Sequence, residues 1–340
     1  MAIGVDIGTY NLVVCTKDDT GNFTNYREVN AFLEIPLDDT LVYQMMDTVG
    51  VPLIKRLEQR KAYALGEKAV RMAYTLAQLD LKRPMKDGCV NPNEKEAYEI
   101  LKTMVHSLLE GNVKGPNEVL YYSVPANALN EETDADFHTN VLRSIFESYE
   151  SDIGNFRVKP HPINEGLALV YAELKADNYT GIGISFGAGM VNLCYAMFGV
   201  PVFAFAIVNS GDWIDKMAAK ATGESPTFIN QEKTKISLNK PPTTLVERAI
   251  QTQYKIMLEK TVNRIKKGLE EAGKKARADK PVKIVIAGGT SLPEGFDVLF
   301  RDTIKQAGLS IPVGDIVKPN DPLYCVAKGC LLAAENSAKG

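Results

Sequence analysis

The chain has 340 residues, 45% hydrophobic and 24% charged, with a formal net charge of −3, the profile of a globular protein large enough for two or three domains. So small a charge gives no electrostatic reason to expect nucleic acid or an anionic membrane as the main partner. The amino terminus lacks a signal peptide's basic and apolar runs, and no apolar run approaches the roughly 20 residues of a membrane helix. The five cysteines form no CxxC pair and read as buried reduced thiols, not a zinc site. These features point to the cytoplasm.

Ile3 to Lys17 reads as a strand, a tight turn at Gly8-Thr9-Tyr10 and a second strand through Leu12-Val13-Val14-Cys15. From about Asn30 to Leu81 the pattern is mixed, with short strand candidates and a helix around Gly66 to Leu76, as in an inserted subdomain. Arg83-Pro84-Met85-Lys86-Asp87-Gly88 is the return loop. A helix is expected from Asn93, with Glu96 completing a capping box and Ala97, Ile100, Leu101, Met104 and Leu108 on its apolar face. Glu118 to Val124 reads as a buried strand and Glu131 to Tyr149 as an amphipathic helix. A strand near Val158 leads into a helix from Asn164 to Lys175.

The opening pattern then returns. Ile182 to Gly187 is a strand and turn, and Val191-Asn192-Leu193-Cys194 the second strand. A constant offset places Gly4 on Gly183, Asp6 on Ser185, Gly8 on Gly187, Asn11 on Met190 and Cys15 on Cys194, as a duplicated domain would leave. A turn at Gly199-Val200-Pro201, a strand from Val202 to Ile207 and a helix opening near Gly211-Asp212 follow. Thr243 to Lys275 is a long helix with an apolar stripe through Ile250, Tyr254, Met257, Leu258, Ile265 and Leu269, and the charged run Lys266 to Lys280 reads as its solvated end. Val282 to Ala287 is a buried strand before Gly288-Gly289-Thr290, and a final helix starts near Pro322.

Turns between antiparallel strands hold phosphates when glycine lets backbone N–H groups converge on an anion. Gly8-Thr9-Tyr10-Asn11 and Gly187-Ala188-Gly189 are two such turns. Each is followed by a strand, and no GxxxxGK[ST] occurs, which excludes a Walker loop and a dinucleotide fingerprint. Asp6, beside the first turn, suits a hydrated magnesium ion; a turn-capping aspartate is the alternative. Glu165 opens a helix, where a carboxylate either favours the first turn or orients an attacking water. Gly288-Gly289 makes a tight turn or gives a purine ring room to lie on the backbone.

The order of these motifs resembles the actin, DnaK-chaperone and sugar-kinase superfamily over nearly the whole chain. It is most similar to bacterial actin-like filament proteins of the MreB and MamK type, through Gly4-Val5-Asp6-Ile7-Gly8-Thr9, Arg83 to Gly88, Gly115 to Ala126, Asn164-Glu165, Gly211-Asp212, Ile286 to Gly289 and Asp321 to Gly329. The resemblance implies an α/β actin-like ATPase fold, in which two duplicated ribonuclease H-like domains flank a nucleotide cleft. Residues 1–31, 82–163 and 322–340 would form the first domain, with 32–81 inserted. Residues 164–221 and 245–321 would form the second, with a reduced insert at 222–244.

It further implies ATP or ADP with Mg2+, ATP-dependent polymerisation with other copies, and slow hydrolysis. Asp6 would serve the metal, and Gly8, Thr9, Tyr10, Asn11, Gly187, Ala188 and Gly189 the phosphates. Gly211 and Asp212 would approach sugar and phosphates, Glu232 and Lys235 the ribose and adenine edge, Gly288, Gly289 and Thr290 the adenine; Glu165 would orient water. Two departures stand out. In the second turn Ser185 occupies the place of an aspartate and Met190 that of a threonine, which is expected to weaken metal positioning and slow hydrolysis. The segment from Thr222 to Thr244 is much shorter than the usual subdomain, which is expected to alter one wall of the cleft and part of a typical filament contact. A non-polymerising adaptor of the PilM or FtsA kind, recruiting a protein partner, is the alternative reading.

Overall fold

The computed structural model describes residues 2–38, 40–76, 81–127, 134–152, 154–278 and 280–337. In chain order, β1 (Ala2–Ile7), β2 (Asn11–Lys17) and β3 (Phe23–Val29) form a meander. Then come β4 (Phe32–Pro36), α1 (Thr40–Thr48), β5 (Leu53–Arg56), β6 (Lys61–Leu65), α2 (Gly66–Leu76) and β7 (Leu81–Lys82). Their strands make a separate sheet, β5-β6-β4-β7, over a small core of Leu33, Ile35, Met46, Val51, Ala64 and Ala69. A short hairpin, β8 (Met85–Lys86) and β9 (Cys89–Val90), leads to α3 (Ala97–Leu109), β10 (Glu118–Val124), α4 (Ala135–Glu147), β11 (Val158–Asn164) and α5 (Glu165–Glu173). The second meander is β12 (Gly181–Phe186), β13 (Val191–Met197) and β14 (Val200–Ile207). It is followed by α6 (Gly211–Thr222), α7 (Pro226–Lys233), α8 (Leu245–Ala272), β15 (Val282–Ala287), α9 (Phe296–Ala307), β16 (Val313–Val317) and α10 (Cys325–Ser337).

The two large sheets repeat one plan. Their orders, β3-β2-β1-β10-β11 and β14-β13-β12-β15-β16, each join an antiparallel meander to two parallel strands. The register repeats as well: Gly4 faces Cys15 in the first sheet and Gly183 faces Cys194 in the second. Both turns close the same way, by Gly8 N–H to Asn11 O and by Gly187 N–H to Met190 O, each at 2.9 Å.

Period-two alternation sets the layers. Ile3, Val5, Ile7, Leu12 and Val14 face a core shared with α3 and α4, whereas Val13 and Cys15 meet Ala327 and Leu331 of α10. In the second sheet Ile182, Ile184, Phe186, Val191, Leu193 and Tyr195 face α8 and α9, and Cys194 and Ala196 face α5. The stack is therefore α3/α4, first sheet, α10, α5, second sheet, α8/α9. Its centre is tight: a Cβ on Gly4 would collide with the Ala327 carbonyl, one on Gly183 with the Gly166 carbonyl, and one on Gly329 with the Ala168 carbonyl.

Several boundaries differ from the sequence expectation for local reasons. Asn91 Oδ1 accepts the Asn93 amide (3.1 Å), so residues 91–96 form turns and α3 starts at Ala97. Asp134 caps α4 by accepting from Phe137 N–H (2.7 Å), so that helix starts four residues after Glu131, which lies outside the described residues. The turn expected at Gly199 to Pro201 falls on Phe198 and Gly199, both with positive φ (52° and 76°), and β14 begins at Val200. α1, unrecognised in the sequence, buries Met46 against the small sheet.

Candidate functional site

Both phosphate-type turns project from the carboxyl ends of equivalent strands, and their carbonyls are occupied from behind. Buried Asn30 donates its side-chain amide to Gly8 O (2.9 Å) and its backbone N–H to Tyr10 O (2.8 Å). On the other side, Gly187 O accepts from the hydroxyls of Ser210 (2.5 Å) and Thr290 (2.7 Å) and from Gly211 N–H (3.2 Å), while Ala188 O accepts from Asp212 N–H (2.8 Å). The turns meet at Gly189, where a Cβ would strike Thr9 and the Gly88 amide; Gly88 N–H itself donates to Thr9 Oγ1 (3.2 Å). Two glycine-bearing turns thus abut at the floor of one cleft.

Asp6 and Glu165 share that floor. The Ser123 hydroxyl donates to Asp6 (2.7 Å) while accepting from Ile7 N–H (3.0 Å). Glu165 opens α5 behind the cap Asn164, whose side chain accepts from Leu167 N–H (3.1 Å). Asn192 donates to Glu165 Oε1 (2.9 Å) and accepts Ala126 N–H (3.1 Å), tying the carboxylate to the segment after β10. Burial drives both carboxyls above their usual range; the Ser123 bond opposes this at Asp6, and the Asp6 charge pushes Glu165 further up. Two carboxylates that repel each other in this way, with no cationic partner among the described residues, create a demand for positive charge.

The cleft is a cavity of about 310 Å3, at the lower end of ordinary ligand sites. Asp6, Gly8, Thr9, Tyr10, Asn11, Glu165, Gly187, Ala188, Gly189, Gly288, Gly289 and Thr290 all line it. Gly288 has φ +93° and would meet the Phe186 backbone with any Cβ, so its glycine answers to packing; a Cβ on Gly289 would sit in ordinary contact with Leu323, at 3.6 Å, so no crowding demands a glycine there. Leu292, Pro322, Leu323 and Val326 add an apolar wall there, drawn from two distant segments that no local pattern connects.

Gly211, Asp212, Glu232 and Lys235 lie outside the lining. Gly211 and Asp212 brace the second turn through their amides, and the Asp212 carboxylate is engaged by Arg83 Nη1 (2.9 and 2.8 Å), whose guanidinium lies over the Tyr10 ring. Glu232 and Lys235 pair with each other (2.7 Å). The phase of α7 instead buries Ile229 and Lys233, one turn apart, and brings Asn230, Lys233 and Thr234 to the cleft. Lys233 pairs with Asp215 (2.7 Å) and donates to Gly211 O (3.0 Å); Asn230 donates to Asp215 (2.8 Å). Asn192 was also missed, although a buried polar residue in an apolar strand was a usable signal.

The sequence matches the Volactin family over residues 1–334. The chain belongs to the Volactin family. No curated protein matches it. Among solved structures it is similar to a MamK double helical filament (TM-score 0.72, 17% identity, 98% of both chains). It is also similar to MreB5 of Spiroplasma citri bound to ADP (TM-score 0.64, 15% identity, 100% of this chain and 98% of that one). A third is the ethanolamine utilization protein EutJ from Carboxydothermus hydrogenoformans (TM-score 0.54, 15% identity, 97% and 88%). At these identities the likeness establishes the fold, which is the actin-like ATPase fold with its two duplicated halves.

In this Volactin-family chain the donor set suits a hydrated magnesium ion. Asp6, Glu165 and the side-chain Oδ1 of Asn11, a buried acceptor without a partner among the described residues, all offer oxygen donors to the cleft. They do not make a complete cage: among the described residues no cluster of three acidic, His or Cys side chains exists that would hold a metal unaided. Such an ion would need phosphate oxygens and water for its remaining positions. Ser185, buried at 4% exposure, hydrogen-bonds Glu165 and adds no charge. Met190 packs with Cys89, Ala126 and Ala206, so an apolar contact stands where the resemblance leads one to expect a hydroxyl.

Proposed function

We propose that this protein binds ATP with Mg2+ in the cleft and assembles with other copies of itself into cytoskeletal filaments in a nucleotide-dependent way, hydrolysing ATP slowly. The observation that carries the reading is the convergence of two glycine-bearing turns on a pair of carboxylates that have no cationic partner among the described residues. Solved relatives support it: one is described as a double helical filament and others as bound to AMPPNP or ADP. Five free cysteines agree with a cytoplasmic setting. Among the described residues no helix is long and apolar enough to cross a membrane.

In this reading the turn residues 8–11 and 187–189 bind the phosphates, and Gly289 with Leu292, Leu323 and Val326 receives the adenine. Lys233 reaches the ligand from the α7 side while neutralising Asp215. Mg2+ would supply charge neutralisation for the phosphates beside Asp6. Glu165 orients the attacking water, fixed by its bonds from Asn192 and Ser185. With Ser185 in place of a third carboxylate, Asp6 and Glu165 would hold such an ion less firmly, which accounts for slow turnover.

Calorimetry with ATP and Mg2+, beside negative-stain microscopy with ATP, ADP and a non-hydrolysable analogue, tests both parts. We expect saturable binding, filaments with ATP or the analogue, and slow phosphate release. Absence of heat with any nucleotide would end the binding reading. Protein that binds ATP but stays monomeric across a concentration series would end the filament reading.

A further inference from the structure

The two stretches of chain that supply the outer helices α3/α4 and α8 carry opposite charge. Between Glu94 and Asp152, the stretch that holds α3 and α4, there are twelve acidic and four basic residues; between Leu245 and Lys283, the stretch of α8, there are eleven basic and five acidic. The chain as a whole is only −3, so the near-neutral total hides a strong polarity. At the carboxyl end of α4 stand Glu147, Glu150 and Asp152; at the carboxyl end of α8 and the 3-10 turn after it stand Lys274, Lys275, Arg277 and Lys280, all exposed. Of these, Glu150 pairs with Arg157 (3.0 Å), and the others form no ion pair with a described residue. Around Lys267 and Arg264, in contrast, Glu271 already supplies a countercharge.

The topology puts the two corners at one height. Each corner immediately precedes the start of a parallel strand, β11 or β15, whose far end feeds the cleft. Both corners are thus at the end of the molecule remote from the cleft, on opposite outer sides.

We propose that these corners are the two halves of a lateral contact between copies of this chain, the acidic end of α4 in one copy meeting the basic end of α8 in the next. Two molecules side by side in the same orientation bring them together. The contact is heterologous and leaves each molecule with a free corner of either sign, so it propagates and ties parallel filaments into sheets or bundles. Its partner is a second copy and not a membrane, because the complementary charge is on the chain itself, at the matching height. The inference rests on self-association but not on nucleotide, and an ion-paired rim makes it sensitive to salt.

The test uses the full chain and two exposed charge reversals: Lys274→Glu/Lys275→Glu/Arg277→Glu and Glu147→Lys/Glu150→Lys/Asp152→Lys. Bundles are read by low-speed pelleting and microscopy with ATP and Mg2+, single filaments by high-speed pelleting. Nucleotide-free self-association is read by analytical ultracentrifugation at about 50 mM and about 500 mM salt, where screening lengths differ severalfold. Either reversal alone should cut low-speed pelleting about fivefold or more while leaving high-speed pelleting intact, and high salt should do the same to the unmodified chain. Mixing the two reversed proteins, or combining both sets in one chain, should restore bundles. Bundling indifferent to salt and reversal, or failure of the mixture to recover, would overturn the contact, as would unmodified protein that never associates laterally but binds phosphatidylserine vesicles through Lys274 to Arg277. Salt-sensitive association without nucleotide-driven filaments would support the contact while sinking the filament reading.

Discussion

Arg83 and Asp212 join the two halves across the cleft, and their pair allows a quantitative test. The side chains are 27% and 18% exposed, and Nη1 lies 2.9 and 2.8 Å from the two carboxylate oxygens. Breaking a fully buried pair costs roughly 3–5 kcal/mol; with partial solvation we expect a coupling of about 2 kcal/mol. The two single substitutions should not be equal. Arg83→Met leaves Asp212 in the first turn of α6, where the helix amino end offsets about 0.5 kcal/mol of its charge. Asp212→Asn leaves Arg83 beside that same positive end, stacked on Tyr10, with only Asp215, itself paired with Lys233, as a countercharge, and should cost about 1 kcal/mol more than Arg83→Met. Urea denaturation of the two singles and the double gives the cycle. A coupling below about 0.5 kcal/mol, or a costlier Arg83→Met, would refute this account of the pair.

Four further outcomes follow from the same contacts. Gly329→Ala forces a methyl onto the Ala168 carbonyl between α5 and α10 and should destabilise by about 1–3 kcal/mol; a thermal midpoint equal to that of the unmodified chain would mean the helices part freely. Lys233→Met leaves Asp215 buried without its partner and should cost about 3 kcal/mol, largely recovered by adding Asp215→Asn, with weakened ATP binding in both; a Lys233→Met chain that binds ATP like the parent would remove Lys233 from the site. His138 is fully buried, its Nδ1 accepts Val90 N–H, and burial lowers its pKa to about 4. Since the unfolded chain takes up that proton first, stability should fall as pH drops from about 6.5 towards 4, by up to about 3 kcal/mol, and His138→Phe should flatten the loss in acid denaturation curves. Ser185→Asp places a third carboxylate beside Glu165 and should lower the melting temperature without Mg2+, while Mg2+ with ATP should stabilise it more than the parent and speed phosphate release.

Much of the fold was legible because duplication leaves a signal that survives in one dimension. The offset that superposes Gly4 to Cys15 on Gly183 to Cys194 is the same offset that relates the two cross-strand pairs in the structure. Strand-turn-strand units are local, so their glycines, apolar alternation and phosphate-type turns could be read without knowing what they pack against. Asp6, Glu165 and Gly289 were visible for the same reason, each marking the end of a local element that the topology carries to the cleft.

What the sequence could not determine depends on helix phase and on contacts between distant segments. The two turns of residues 8–11 and 187–189 were evident, but their abutment through Gly189, Thr9 and Gly88 required both halves in place. On α7, Lys233 and Lys235 are two residues apart and differ by roughly 200° around the helix, so only packing of Ile229 decides which enters the cleft. The pairing of Asp212 with Arg83, 129 residues earlier, has no trace in the local pattern around either residue. The sequence by itself determined two related α/β halves and their phosphate-type turns, since these are periodic and local. The tertiary structure decided which charges face the cleft, which face each other and which face outward, because a charge takes its role from partners that only the folded chain brings near.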